Sequence, residues 1–207
     1  MYKFGICGKA NSGKDTVSNI ILNYNNLNSV KLSFADVIKK IGLMMFPDVP
    51  KECFFGESSL RNTIIEGAFK DNKPLTVRQL LIDLGTDVGR RYNKDIWINA
   101  LISDLNRNYS NTDCAVISDV RFQNEFFALK KDNFILIKII RDNCSNINHI
   151  SELEQESIPN NLFDHIIYNN GSIEELEENV KNILKNIIIW VFKYGNLFIE
   201  RTIYKRW

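Results

Sequence analysis

Phe4-Gly5-Ile6-Cys7-Gly8-Lys9-Ala10-Asn11-Ser12-Gly13-Lys14-Asp15-Thr16-Val17 is the stretch that decides the fold. An apolar run ends at Gly8, and Gly13-Lys14 follow at the Gly-x-x-x-x-Gly-Lys spacing of a phosphate-binding loop. The glycines let the backbone curl so that successive N–H groups converge on one anion. The helix that opens beyond them adds the positive end of its dipole. Lys14 then reaches phosphate oxygens as a mobile charge. A strand before and a helix after are the context the motif needs, which favours an anion cradle over an idle glycine-rich turn. Its candidate binding residues are Gly8, Asn11, Ser12, Gly13, Lys14, Asp15 and Thr16. The residue after such a lysine is usually Ser or Thr, whose hydroxyl ligates Mg²⁺; here it is Asp15. A carboxylate is a hard oxygen donor suited to Mg²⁺, directly or through water, and it is also a base beside the attacking phosphate. Both roles stay open.

Outward from this loop the pattern alternates. Phe4–Cys7, Val30–Phe34, Cys114–Ser118, Phe134–Ile140 and His165–Tyr168 read as strands. Asp15–Asn23, Ala35–Met45, Val77–Tyr92, Ile96–Arg107, Glu125–Lys131 and Ile173–Ile188 read as helices. Leu80, Leu81, Leu84 and Val88 share one helical face, and Ser172 with Glu175 has capping-box spacing. Nearly all-apolar strands separated by helices predict an α/β chain whose parallel sheet is covered on both faces. Three stretches break the rhythm: Pro47–Pro74, Asp142–Asn161 and the aromatic tail Trp190–Trp207. Long irregular stretches in compact domains are often substrate covers, an expectation for the first two; ordinary surface loop is the plainer reading of the tail.

Composition narrows the function. The 207 residues carry 26 Lys and Arg against 25 Asp and Glu, a net charge of +1. That balance provides no bulk attraction to nucleic acid or acidic membrane, so an anion must be held by a local site. The longest apolar run, Ile187–Phe192, is far short of the roughly 20 residues of a membrane span, and the first residues do not read as a signal peptide. Cys7, Cys53, Cys114 and Cys144 are scattered, with two histidines in the chain, which argues against zinc and disulfides and for reduced thiols in a cytoplasmic protein.

Asp119 closes the apolar strand Val116-Ile117-Ser118. Ligands of open parallel sheets sit beyond that end of the strands, so Asp119 is a candidate to orient Mg²⁺ through water. Arginine is scarce, nine residues against seventeen lysines. Arg78, Arg90, Arg91, Arg121 and Arg141 sit beside candidate ligand-facing elements, where a planar guanidinium pairs two phosphate oxygens at once.

Taken in order, these motifs resemble the deoxynucleoside monophosphate kinases of bacteriophages, within the P-loop nucleoside monophosphate kinase superfamily. The resemblance is carried by Gly13-Lys14-Asp15-Thr16, Leu32-Ser33-Phe34-Ala35-Asp36 with Lys39, Val77-Arg78-Gln79-Leu80-Leu81, and Leu84-Gly85-Thr86-Asp87-Val88-Gly89-Arg90. It continues through Asp95-Ile96-Trp97, Asp119-Val120-Arg121-Phe122-Gln123-Asn124-Glu125, Arg141 with His149-Ile150-Ser151-Glu152, and Asn169-Asn170-Gly171-Ser172. It implies a single three-layer α/β/α P-loop kinase domain over 1–207. Within it, a helical acceptor region spans about 35–110, a lid about 142–161, and residues 188–207 form a tail without assigned role. It implies phosphoryl transfer from ATP to a dNMP, giving ADP and dNDP, with Mg²⁺. Lys14, Asp15, Arg121 and Arg141 become the catalytic candidates, and Asp15 and Asp119 the metal-binding ones. Ser33, Phe34, Ala35, Lys39, Arg78, Arg90, Trp97, Arg121 and Asn124 become the acceptor-side candidates; for Trp97, stacking on the acceptor base and burial in the core are both open. The implied partners are small nucleotides, with a homodimer as one possible assembly and no nucleic acid or membrane. The rival activities are a P-loop kinase of another small acceptor, dephospho-coenzyme A or phosphomevalonate, and an ATPase switch without an acceptor.

Overall fold

The computed structural model describes residues 1–142, 144 and 154–187. The strands are β1 (Tyr2–Gly8), β2 (Ser29–Leu32), β3 (Ile64–Lys70), β4 (Lys73–Thr76), β5 (Cys114–Val120), β6 (Ile135–Ile140) and β7 (His165–Tyr168). The helices are α1 (Lys14–Leu22), α2 (Ala35–Met45), α3 (Glu52–Phe55), α4 (Val77–Ile82), α5 (Arg90–Tyr92), α6 (Ile96–Asn108), α7 (Gln123–Lys131) and α8, residues 173–187. They fall into two compact units: Met1–Lys31 with the chain from Thr112 onward, and Leu32–Asn111.

The first unit is built on a five-stranded parallel sheet in the order β2-β5-β1-β6-β7. Alternation along β1 sends Phe4 and Ile6 to one face, where Val116, Ile137, Ile139 and Ile167 join them. There α1 (Val17, Ile21) and α8 (Leu176, Val180, Leu184) close over a fully buried core. The opposite face belongs to α7. A Cβ at Gly5 would lie 2.6 Å from Leu136 Cδ2 and 3.1 Å from Leu129 Cδ1, so only glycine lets that helix seat so closely. Phe126 of α7 packs edge-on against Phe163 at 4.8 Å between ring centres. Helices on both faces of a parallel sheet make the α/β/α layering expected from the sequence. In register, Cys7 pairs with Val120, Gly8 with Ile139, and Ile140 with Tyr168. Four strands thus end at one edge.

The second unit has its own core of Val49, Phe54, Ile65, Val77 and Leu80. Two features depart from the sequence expectation. Pro47–Pro74, read as irregular, contains α3 and the β3–β4 hairpin. Its two-residue turn is Asp71-Asn72, with φ of 50° and 61°, the positive pair of a type I′ turn that matches strand twist. Val77–Tyr92, read as one helix, is broken by a π-helical segment over Asp83–Gly89. The Trp97 indole N–H donates to the Gly85 carbonyl at 2.8 Å, and its ring lies where a Cβ at Gly89 would be. The tail 188–207 and half of the stretch 142–161, residues 143 and 145–153 with His149 and Ser151 among them, lie outside the described residues.

Candidate active site

The glycine loop leaves the end of β1 and turns into α1. A Cβ at Gly8 would stand 2.6 Å from Ser12 Oγ and 2.7 Å from the Ile139 carbonyl, so the strand end tolerates no side chain. Asn11 (φ 62°) and Gly13 (φ 102°) are left-handed, and Ser12 N donates to Lys9 O at 3.2 Å to close the turn. Ser12 is buried, and its Oγ has no hydrogen-bond partner among the described residues. Gly13 caps α1 without a side chain. The Lys14 ammonium bends back onto Lys9 O at 2.5 Å. Asp15, exposed on the first turn, pairs with Lys31 at 2.7 Å.

Parallel registration brings further groups to this edge. Asp119 is half-buried near the end of β5, and Arg121 emerges exposed just after it. The backbone there is held by Glu125, 3% exposed, whose Oε2 accepts from Arg121 N at 2.9 Å and Phe122 N at 3.0 Å. That is the reach-back half of a capping box, and it fixes the chain from which Arg121 projects. Arg141 follows β6. A cavity of about 420 Å³ opens between loop and strand, lined by Gly8, Lys9, Lys138, Arg141, Gln155 and Glu156. Glu156 pairs with Lys9. Buried Gln155 donates to Cys7 Sγ at 3.2 Å, and burial pushes the Cys7 thiol up to about 11. Lys138 donates to Asn160 Oδ1 at 2.8 Å.

The acceptor-side candidates other than Arg121 and Asn124 belong to the second unit. Ser33 precedes α2, with its N–H donating to Asp36 Oδ2 at 2.9 Å and its Oγ accepting from Ala35 N at 3.1 Å. Lys39 pairs with Asp36 at 2.8 Å and lies 5.4 Å over the Phe55 ring. Phe34 is buried. Arg78 is exposed and spends its guanidinium on Ser58 O (2.7 Å), Ser58 Oγ (3.2 Å) and Asn62 Oδ1 (3.0 Å). Arg90 is half-buried, whereas Trp97 is buried with its N–H engaged. Asn124, on α7 of the first unit, is half-buried.

Four site-lining residues were not read from the sequence as contributors: Glu125, Lys138, Gln155 and Asn169. Two left a local signal. Glu125 sits at capping-box distance from Phe122, and Lys138 is the one charge inside Ile-Leu-Ile-Lys-Ile-Ile. Gln155 left none, and Asn169 stood in a segment of the family resemblance with nothing to announce its contact, because their partners Cys7 and Ser12 are remote in sequence.

The donor set can be tested against the groups the sequence implies. Gly8 and Gly13 leave a cradle that any Cβ would fill, and cations (Lys9, Lys14, Lys138, Arg121, Arg141) collect at the same edge. This suits a polyphosphate. Asp15 and Asp119 are hard oxygen donors, and no cluster of three or more His, Cys, Asp or Glu forms a metal cage among the described residues. Carboxylates outside any closed cage suit Mg²⁺, which keeps waters and takes phosphate oxygens as ligands. Among the described residues, no helix is long and apolar enough to cross a membrane.

Comparison with known proteins agrees with this geometry. The sequence model of the family described as "Deoxynucleotide monophosphate kinase" matches residues 43–180. A protein of Acanthamoeba polyphaga mimivirus that carries a provisional deoxynucleotide monophosphate kinase name is 31% identical over 198 residues, covering 90% of this chain and 97% of that protein. The deoxynucleotide monophosphate kinase of Enterobacteria phage T4 is 28% identical over 174 residues, covering 77% of this chain and 70% of its own length. With a sheet of this order and a glycine loop at the end of its central strand, the chain belongs to the deoxynucleotide monophosphate kinase family.

Proposed function

We propose that this kinase takes its phosphoryl group from the γ-position of ATP, with Mg²⁺, and passes it to a dNMP, the loop Gly8–Thr16 holding the donor. The observation that carries this reading is the loop itself: a side-chain-free strand end, a left-handed glycine, and a lysine at the mouth of α1. The loop N–H groups and the dipole of α1 would bind the β- and γ-phosphates, and Lys14 would exchange the Lys9 carbonyl for a phosphate oxygen. Arg121, aimed by Glu125, and Arg141 would offset the charge of two approaching anions. Asp15 and Asp119 would hold Mg²⁺, which when bound neutralises phosphate oxygens and favours the in-line geometry. Ser33, Lys39, Arg78 and Arg90 would serve the acceptor.

The acceptor phosphate is already an anion and its own nucleophile, so no strong general base is needed. The protein's task is alignment, charge neutralisation and exclusion of water. A panel of dNMPs and NMPs with ADP release as readout tests the proposal. ATP turnover that depends on a dNMP is expected. Turnover of equal rate without any acceptor would replace it with an ATPase, and phosphorylation of dephospho-coenzyme A or phosphomevalonate in preference to every dNMP would replace the acceptor.

A further inference from the structure

Beyond the end of β7, two consecutive asparagines tie separate parts of the first unit together. Asn169 continues the sheet, its N–H donating to the Ile140 carbonyl at 2.8 Å. Its side-chain Nδ2 crosses to the glycine loop and donates to the Ser12 carbonyl, also at 2.8 Å. Asn170 instead takes Asp142, accepting from its N–H at 3.0 Å and donating to its Oδ2 at 2.7 Å. A Cβ at Gly13 would fall 2.4 Å from Asn169 Nδ2, so the amide occupies the space that a side chain at 13 would need.

The Ser12–Gly13 peptide is planar and trans, so its C=O and N–H point in opposite directions. Whatever holds the Ser12 carbonyl therefore aims the Gly13 N–H. Glycine on the C-terminal side of that peptide makes a flip cheap, since both signs of φ are open to it. An anion cradle works only if its N–H groups face inward before the ligand arrives; one peptide turned over would replace a donor with a carbonyl oxygen. We propose that Asn169 is a positioning residue for the nucleotide phosphates. By fastening the Ser12 carbonyl it keeps the Gly13 N–H on the anion side, and it ties the loop to the sheet through Ile140. The role rests on the phosphate-loop reading of Gly8–Thr16 given above.

The test compares Asn169→Asp and Asn169→Ala with the parent, with Asn170→Ala as neighbour control and Lys14→Ala as a probe of the loop. Dissociation constants for ATP and for inorganic tripolyphosphate, which lacks base and sugar, are measured by calorimetry below each variant's unfolding transition. The KM values for ATP and for dNMP are measured alongside. Loss of one donor to a charged ligand predicts roughly 10- to 100-fold weaker ATP and tripolyphosphate binding in both Asn169 variants, with the KM for dNMP within about twofold. Asn170→Ala keeps the tripolyphosphate affinity. Unchanged phosphate affinity in the Asn169 variants beside a weakened Lys14→Ala overturns the positioning role and leaves the loop reading standing. Unchanged affinity in all of them removes the loop reading itself. Variants that do not fold, or that lose both substrates equally, also overturn the proposal, because the contact is then support for the fold alone.

Discussion

Lys14 and Asp15 adjoin in sequence, yet their surroundings differ. Lys14 turns back onto the Lys9 carbonyl at 2.5 Å, a neutral partner that a phosphate oxygen readily displaces. Its replacement in Lys14→Ala removes a charge whose described hydrogen bond is to a neutral carbonyl. Turnover is expected to fall by two or more orders of magnitude, with the urea midpoint close to that of the parent; comparing kcat with the denaturation curve checks both halves. Asp15 is exposed and paired with Lys31, a bond of little value to stability at the surface. Asp15→Ala should shift the Mg²⁺ concentration for half-maximal activity upward by about tenfold, while an unshifted Mg²⁺ titration would remove Asp15 from the metal. Trp97 poses a different choice. Its indole N–H is spent on Gly85 and its ring rests on Gly89. Trp97→Phe is accordingly expected to cost roughly 1–3 kcal/mol of stability and to leave the KM for dNMP unchanged. A raised KM at unchanged stability would instead mark a base-stacking role.

At the scale of elements, what the sequence disclosed depended on how local the deciding interactions are. The turn from β1 to α1 was legible because glycine spacing, strand and helix start all lie within one short stretch. The bounds of α2 were legible for the same reason: across the helix start Ser33 N donates to Asp36 Oδ2 and Asp36 N donates to the Ser33 carbonyl. β2 was read as ending two residues too late, because that exchange pulls Ser33 and Phe34 out of the strand, and as starting one residue too late, at Val30 instead of Ser29. The β3–β4 hairpin escaped notice because its turn is Asp71-Asn72 and contains no glycine. Leu80, Leu84 and Val88 recur every four residues, so periodicity is blind to the π segment Asp83–Gly89, where Leu84 packs on the core and Val88 is left exposed; a carbonyl that accepts from a tryptophan twelve positions away leaves no trace in a spacing rule. The site divides along the same line. Lys14 is announced by the glycine spacing before it and Asp119 by the end of its own strand, whereas Asn169 meets Ser12 only after the whole sheet is assembled.

Whole-molecule behaviour includes a pH dependence that no single element displays. Burial pushes Cys7 and Cys114 up to about 11 from an ordinary value of 9.0. Above pH 9 the unfolded chain releases these thiol protons while the folded chain keeps them, so the unfolded state binds fewer protons and stability falls as pH rises. The contribution is constant below pH 9 and is lost progressively between about 9 and 11. Urea midpoints at pH 8, 9.5 and 10.5 should decline, and the decline should be shallower in Cys7→Ala; equal slopes would show that the Cys7 thiol does not participate.

The chain leaves the first unit after β2 and returns just before β5, and the two arms are stapled where they pass. Asp113 N donates to Asn28 O at 2.8 Å, Asn28 N to Asp113 Oδ2 at 3.0 Å, and Tyr2 N to Asp113 O at 2.6 Å. Everything between β2 and Asn111 is thus a closed excursion of the chain. Lengthening such an excursion is cheap, about 0.6 kcal/mol for each doubling. Insertions and deletions in a gene of this kind should therefore accumulate between the staple's arms and spare the strands outside it. An alignment in which gaps fall evenly over both units would refute that. Natural drift then has one cassette that is free to change its length, and a sheet that need not be rebuilt each time.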